Sequence, residues 1–240
     1  MSDAFQNGLM WVVYTDLEKN LQNFLEYVPF ISVHRKVYSQ KLLQLMLQIG
    51  GYVDTAFKEM AKYHSFDGNE KCALIRTKTE AGETVKISLA REAFEPVYNL
   101  SSRTLFAKSP QYLRRILVDR RRPFSDFRLG KSPSWWKAYN KIKHDWLTNI
   151  AEANLSNTLD ALAAAFLLNV IHEPGLISLA SAGLVMDGFS EERIDVLMID
   201  HILAGNTGLR CFRLNVETPL FLWNCSSANF TPKHQKQLES

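Results

Sequence analysis

The sequence predicts a mainly α-helical fold: a helical bundle with an irregular basic segment in its middle and a short β element near its C-terminus. Three observations carry this. Leu17, Leu21, Phe24, Leu25 and Val28 recur at helical spacing. So do Leu42, Leu43, Met46, Ile49, Val53, Phe57 and Met60. Leu159–Leu168 is apolar almost without interruption, the mark of a central, buried helix.

The elements follow in order. The first helix covers 16–28 and ends at Pro29, because a proline disfavours helical geometry in the residue before it. Ser39 caps a long helix over 40–63. Gly50-Gly51 interrupts it at about 1 kcal/mol per glycine against alanine, which predicts a close helix approach as compensation. Residues 70–78 form a short helix. Thr84–Leu89 alternates like a strand and also fits a helix opening, and Asn99–Ala107 shows no period. Ser132-Pro133 is a helix start, serine as cap and proline at the first helical position, for a helix reaching Thr148. The alanine-rich helix runs over 156–172, capped by Asn154 or Ser156 and stopped by Pro174-Gly175. A helix over 190–203 has Glu191 and Glu192 in its first turn, which suits the positive end of the dipole. Residues 210–216 alternate like a strand, and the polar 227–240 frays. This divides the chain into a helical domain, 1–175, with a basic loop-rich insertion at about 65–131, and an extension, 176–240, packed on it.

Composition narrows the function classes. The chain has 240 residues, 46% apolar and 22% charged, which excludes a disordered, collagen-like or disulfide-scaffold protein. The longest apolar run, Ala161–Leu168, is far short of the ~20 residues a membrane span needs, so no membrane association is expected. Met1–Asn7 lacks the basic-then-apolar pattern of a signal peptide. Cys72, Cys211 and Cys225 are odd in number and have no metal-ligand spacing; they read as thiols of a cytoplasmic protein. There is no His-Glu-x-x-His, Cys-x-x-Cys, Gly-x-Gly-x-x-Gly, phosphate-binding loop or Gly-x-Ser-x-Gly, so neither a metal nor a cofactor is expected.

Charge is distributed unevenly. Between Arg103 and His144, twelve Lys/Arg against two acids give +10; with +3 for the whole chain, the rest carries −7. Such a segment suits a large anion, of which nucleic acid is the commonest. Arg114, Arg115, Arg120, Arg121 and Arg122 lie in it with Tyr112, Phe124 and Phe127 interleaved, a composition that fits phosphate contacts and base stacking. It fits equally an arginine-rich linker that covers the core with its aromatics.

The 133–148 helix carries the candidate chemistry. At 100° per residue Trp135, Tyr139, Ile142 and Trp146 share the core face. Lys137, Asn140, Lys141 and His144 cluster opposite, three or four residues apart and therefore neighbours. Periodicity alone is satisfied by an ordinary polar face. His34, His172 and His201 are weaker candidates; His172, ending a helix, is explained by the dipole.

The run Trp135-Trp136-Lys137-Ala138-Tyr139-Asn140-Lys141-Ile142-Lys143-His144-Asp145, followed by the Leu159–Leu168 helix, resembles the HEPN superfamily. Tyr38-Ser39-Gln40-Lys41-Leu42, Gly50-Gly51 and Val53-Asp54-Thr55 resemble the opening helix of its bacterial members. The resemblance covers about 17–63 and 133–171. It implies an all-α bundle that pairs as a homodimer. Many members are metal-independent endoribonucleases of toxin and antiviral defence systems, some encoded beside a partner protein; others bind or assemble without cleaving. The family motif is an arginine, four to six residues, then a histidine. His144 matches the histidine; Lys137, seven residues before it, stands where the motif has arginine and lacks the bidentate fork. Asn140 and Lys143 fit the polar interior of the motif.

Two functions are therefore expected. One is a metal-independent RNA endonuclease with His144 as general acid/base and Lys137, Asn140 and Lys143 beside it. Lys141 and Arg114, Arg115, Arg120, Arg121 and Arg122 would hold the RNA. The other is a non-catalytic HEPN-like module that binds RNA, a nucleotide or a protein.

Overall fold

A computed structural model describes residues 8–64, 68–108, 119–204 and 213–226, apart from the side chains of Arg213, Cys225 and Ser226. Four helices make the body: α1 (Leu9–Leu25), α2 (Gln40–His64), α5 (Ser134–His144) and α7 (Leu155–Ile171). α7 is central. It touches α1, α2, α5 and α8 (Glu173–Ser181), and it meets the sheet at β1 and β5. Residues 161–171 are all buried, as a helix apolar all round requires. α3 (Glu70–Glu80) packs on α2, and α4 (Ile87–Tyr98) on α3. Among the described residues no single helix is long and apolar enough to cross a membrane.

Local signals fix several ends. Ser39 Oγ accepts from Leu42 N at 3.2 Å, capping α2. Asn154 Oδ1 accepts from Asn157 N at 3.0 Å, capping α7. The glycine pair divides its duties. A Cβ on Gly50 would stand 2.2 Å from Tyr139 Cδ2, so the bare backbone there lets the Tyr139 ring lie on α2; Gly51 faces open space. The expected close approach is between α2 and α5, and one glycine supports it.

Among the described residues, five antiparallel strands form one sheet in the order β2-β1-β5-β4-β3. They are β1 (Leu105–Ala107), β2 (Asp119–Arg121), β3 (Val185–Asp187), β4 (Arg213–Glu217) and β5 (Phe221–Ser226). Register sets two faces. Leu105, Ala107, Arg121, Val185, Asp187, Leu214, Val216, Phe221 and Trp223 point inward and are buried. Phe221 stacks on Phe166 of α7 with centroids 5.6 Å apart. Phe106, Arg120, Met186, Asn215, Glu217, Leu222 and Asn224 form the outer face. Strands from the irregular middle segment and from the C-terminal part pair directly, Phe106 opposite Leu222.

Several sequence expectations change. α1 starts at Leu9, seven residues early, because Met10 and Tyr14 are buried and extend its core face. Residues 84–86 are neither strand nor helix, and α4 opens at Ile87. Ser132 caps nothing; Pro133 takes the cap position of α5 without a side-chain hydrogen bond. α5 ends at His144, since Asp145 leaves helical geometry and its carboxylate accepts from Thr148 N, capping α6 (Trp146–Asn149). Trp146 is therefore rotated off the core face and is 49% exposed. α7 ends at Ile171, one residue before the expected end, where His172 is extended; Pro174 then sits in the first turn of α8, bent 84° from α7, where its missing N–H costs nothing. The 190–203 helix shortens to α9 (Val196–Leu203), capped by Asp195 through Met198 N at 2.8 Å, while Glu191 has φ 57° in the left-handed region. β4 coincides with the predicted strand over 213–216 and runs one residue past it; 205–212 and 227–240 lie outside the described residues.

Candidate functional site

The C-terminal half of α5 borders a cleft of about 580 Å³. Its opposite walls are α2, through Asp54 and Lys58, and the 82–88 segment entering α4, which includes Glu83 and Lys86. α5 contributes Trp136, Tyr139, Asn140, Lys143 and His144. Tyr139 on Gly50 fixes how deeply α5 sits against α2, and hence where these side chains stand.

Three of the four expected catalytic residues thus share one cleft: Asn140, half-buried, and Lys143 and His144, both exposed. Lys143 Nζ lies 5.6 Å from the Tyr139 ring centroid, a cation–π contact that keeps the ammonium over the cleft wall. Lys137 is exposed and does not line the cleft. Nor does Lys141, which pairs with Glu152 across the turn that follows α5. On the helix wheel the cleft centres on Trp136, Asn140 and Lys143; His144 stands at its margin and Lys137 and Lys141 beyond.

α2 and the α4 entry add groups that sequence reasoning missed. Lys58 donates to Asp54 Oδ2 at 2.6 Å, and Lys78 to Glu83 Oε2 at 2.5 Å. Both cleft acids are therefore already held by lysines, while Lys86 and Lys143 form no ion pair among the described residues. The i, i+4 spacing of Asp54 and Lys58, just after the glycine pair, was the available signal.

The arginine cluster divides by strand alternation. Arg120 and Arg122 are exposed, with the Arg120 guanidinium 5.9 Å from the Phe106 centroid and Arg122 Nε donating to Thr104 Oγ1 at 3.0 Å. Arg121 points inward and is 7% exposed. It binds Asp160 of α7 at 2.8 Å and Asp119 at 2.7 Å, and lies 5.0 Å from the Phe30 centroid. It is a tie between sheet and helices, and burial removes it from the expected RNA-contacting set. Burial raises the Asp160 pKa, and the Arg121 charge opposes the rise. Arg114 and Arg115 lie outside the described residues.

A second group of ionisable side chains is buried away from the cleft. His64 Nε2 stands 2.5 Å from Tyr98 Oη, which is 3.2 Å from His172 Nδ1. His172 is fully buried where α7 turns into α8, so the Tyr98 hydroxyl, more than a helix dipole, accounts for it. Comparison with family models, with curated proteins and with solved structures finds no match for the chain.

Proposed function

We propose that the protein is a HEPN-like, metal-independent RNA endonuclease of the cytoplasm, acting as a homodimer with His144 as general acid/base. The observation that carries this reading is the cleft in which Asn140, Lys143 and His144 meet Lys58 and Lys86. Histidine, with an ordinary pKa near 6.5, can accept or give a proton at neutral pH. As base, His144 takes the proton of a ribose 2′-hydroxyl. The 2′-oxygen then bonds to the adjacent phosphorus, and the bond to the 5′-oxygen breaks. A protonated His144 of a second copy gives that leaving oxygen its proton. The products are a 2′,3′-cyclic phosphate and a 5′-hydroxyl end. Lys143 and Lys86 supply cations for the charge that gathers on the phosphate oxygens, and Asn140 an amide to position it. The resemblance to toxin and defence effectors, with an operon-encoded partner, belongs to the same proposal.

A second reading is favoured by the position of Lys137, outside the cleft, and by the engagement of Lys141 with Glu152. With Lys137, which stands in the motif's arginine place, outside the cleft, the cleft would hold RNA or a nucleotide without cutting it. An assay on total RNA with excess EDTA separates the two. The nuclease reading expects cyclic-phosphate ends with the wild type and a loss of at least a hundredfold in His144→Ala, the scale of general acid–base catalysis. Equal cleavage by both proteins would sink it. Binding without cleavage would establish the second reading.

A further inference from the structure

The outer face of the sheet bears no part of the cleft chemistry, yet its composition is not that of an ordinary solvated face. Register places Phe106, the only aromatic of that face among the described residues, between Arg120 on one side and Leu222 on the other. The Arg120 guanidinium lies over the Phe106 ring, 5.9 Å from its centroid. Arg122, two residues on, is oriented by its bond to Thr104. Asn224, exposed, stands directly opposite Asn215 on the neighbouring strand, and the Asn215 side-chain oxygen is buried. The sheet packs on the helices through its inner face, where Phe221 meets Phe166 and Arg121 meets Asp160.

Charge on this face favours an anion. Lys108 is matched by Glu217 at 2.6 Å. Asp119 points inward, to Arg121 and Arg35. Arg120 and Arg122 have no ion-pair partner among the described residues, and Asp126, which borders the same concavity as both, stands outside ion-pair distance. That concavity also includes Ser134 and Trp135, the first turn of α5. The eleven residues of α5 rise about 16 Å from there to His144.

We propose that this outer face is a docking platform for single-stranded RNA. Its stacking point is the Phe106–Arg120 pair, its phosphate contact is Arg122, and the exposed Asn224 amide meets a base edge. An acidic peptide would satisfy the arginines but has no use for a flat aromatic–guanidinium surface flanked by an amide. A duplex would satisfy the arginines too, but its bases are already stacked. An unpaired strand uses all three features, since every base has a face that stacks on an aromatic ring or a guanidinium plane. The inference rests on RNA being the substrate of the cleft and adds to it a preference for unpaired strands, anchored on the sheet and led along α5.

The test measures binding, not cleavage, on the full-length chain carrying His144→Ala. Fluorescence anisotropy compares a labelled single-stranded RNA oligonucleotide of mixed sequence with a duplex of equal length. Phe106→Leu keeps an apolar side chain on the sheet and removes the ring; Phe106→Trp keeps the ring. The expected result is single-strand binding weakened about tenfold or more by Phe106→Leu and preserved by Phe106→Trp. Arg120→Ala with Arg122→Ala should flatten the salt dependence by about 0.7 per lost phosphate contact. Circular dichroism melting confirms that each variant is folded. Equal affinity for single strand and duplex, or a Phe106→Leu protein that binds like its parent, overturns the platform and leaves the cleft to its own cleavage assay. Binding of polyglutamate in place of RNA overturns it in favour of an acidic protein partner. Single-strand binding that depends on Phe106, in a protein whose wild type never cleaves, upholds the platform and removes the nuclease.

Discussion

The helical body and the sheet bury different chemistry. Where α7 meets α2, the enclosed surface is apolar with a few neutral polar groups, such as Asn169 Nδ2 donating to Tyr52 Oη at 2.6 Å. Where the sheet meets the helices, charge is enclosed as well. Arg121 of β2 reaches Asp160 of α7. Glu18 of α1 accepts from Leu220 N at 3.0 Å and from Thr218 Oγ1 at 2.5 Å, holding the β4–β5 turn. Ionisation therefore bears directly on the seam, where these charged groups hold the strands. Short strands of three to six residues enclose little area each, and directed charged contacts fix their position.

The largest effect should come from breaking the seam at Arg121. Arg121→Met leaves Asp160 and Asp119 without their buried partner, a change on the order of 3–5 kcal/mol at neutral pH. Urea unfolding should show that loss shrinking as pH falls and the carboxylates protonate. Arg121→Met with Asp160→Leu should recover most of it, because an apolar pair can replace a buried ion pair. A loss that stayed constant with pH would show that Arg121 acts by packing on Phe30 alone.

Within the body the corresponding test is steric. Gly50→Ala drives a methyl into the Tyr139 ring and should cost about 1–3 kcal/mol. Gly51→Ala meets open space and should gain up to about 1 kcal/mol from helix propensity. Because Tyr139 positions α5, Gly50→Ala should also weaken RNA binding in the cleft, whereas Gly51→Ala should not. If both variants behaved alike in thermal melts, the close approach of α2 and α5 would not depend on the bare backbone.

The same contrast decides what could be read in the sequence. α2 and α7 are legible because their signals are local: an apolar period, Ser39 and Asn154 as caps. The break at Asp145 was not, since that residue fits a wheel as well as a cap. β1, β2, β3 and β5 were illegible: three are only three residues long, and one pairing, Phe106 with Leu222, joins segments more than a hundred positions apart. The face that would reveal Arg121 as a core residue exists only once that pairing is made. For the site, α5 supplied His144, Asn140 and Lys143 from its own sequence, while Lys58 and Lys86 arrive from α2 and the α4 entry by folding alone.

The smallest expected effect concerns Glu18. Burial raises its pKa, the hydrogen bonds from Thr218 and Leu220 oppose the rise, and Lys108, at the end of β1, opposes it more weakly. Tyr14, its neighbour on α1, is raised further still by burial and by the Glu18 charge. A carboxyl with a raised folded pKa holds its proton more tightly in the folded than in the unfolded chain. Stability therefore falls as pH rises from about 4.5 through the raised value, and the penalty is absent below the unfolded pKa. Glu18→Gln keeps an oxygen to accept from Leu220 N and does not titrate. Its urea midpoint should vary less between acid and neutral pH than the wild type's. The slope that remains belongs to Asp160, which is raised in the same direction. Parallel pH profiles for Glu18→Gln and wild type would mean that the β4–β5 turn is held by hydrogen bonds whose strength is indifferent to charge, and the seam would then depend on Arg121 alone.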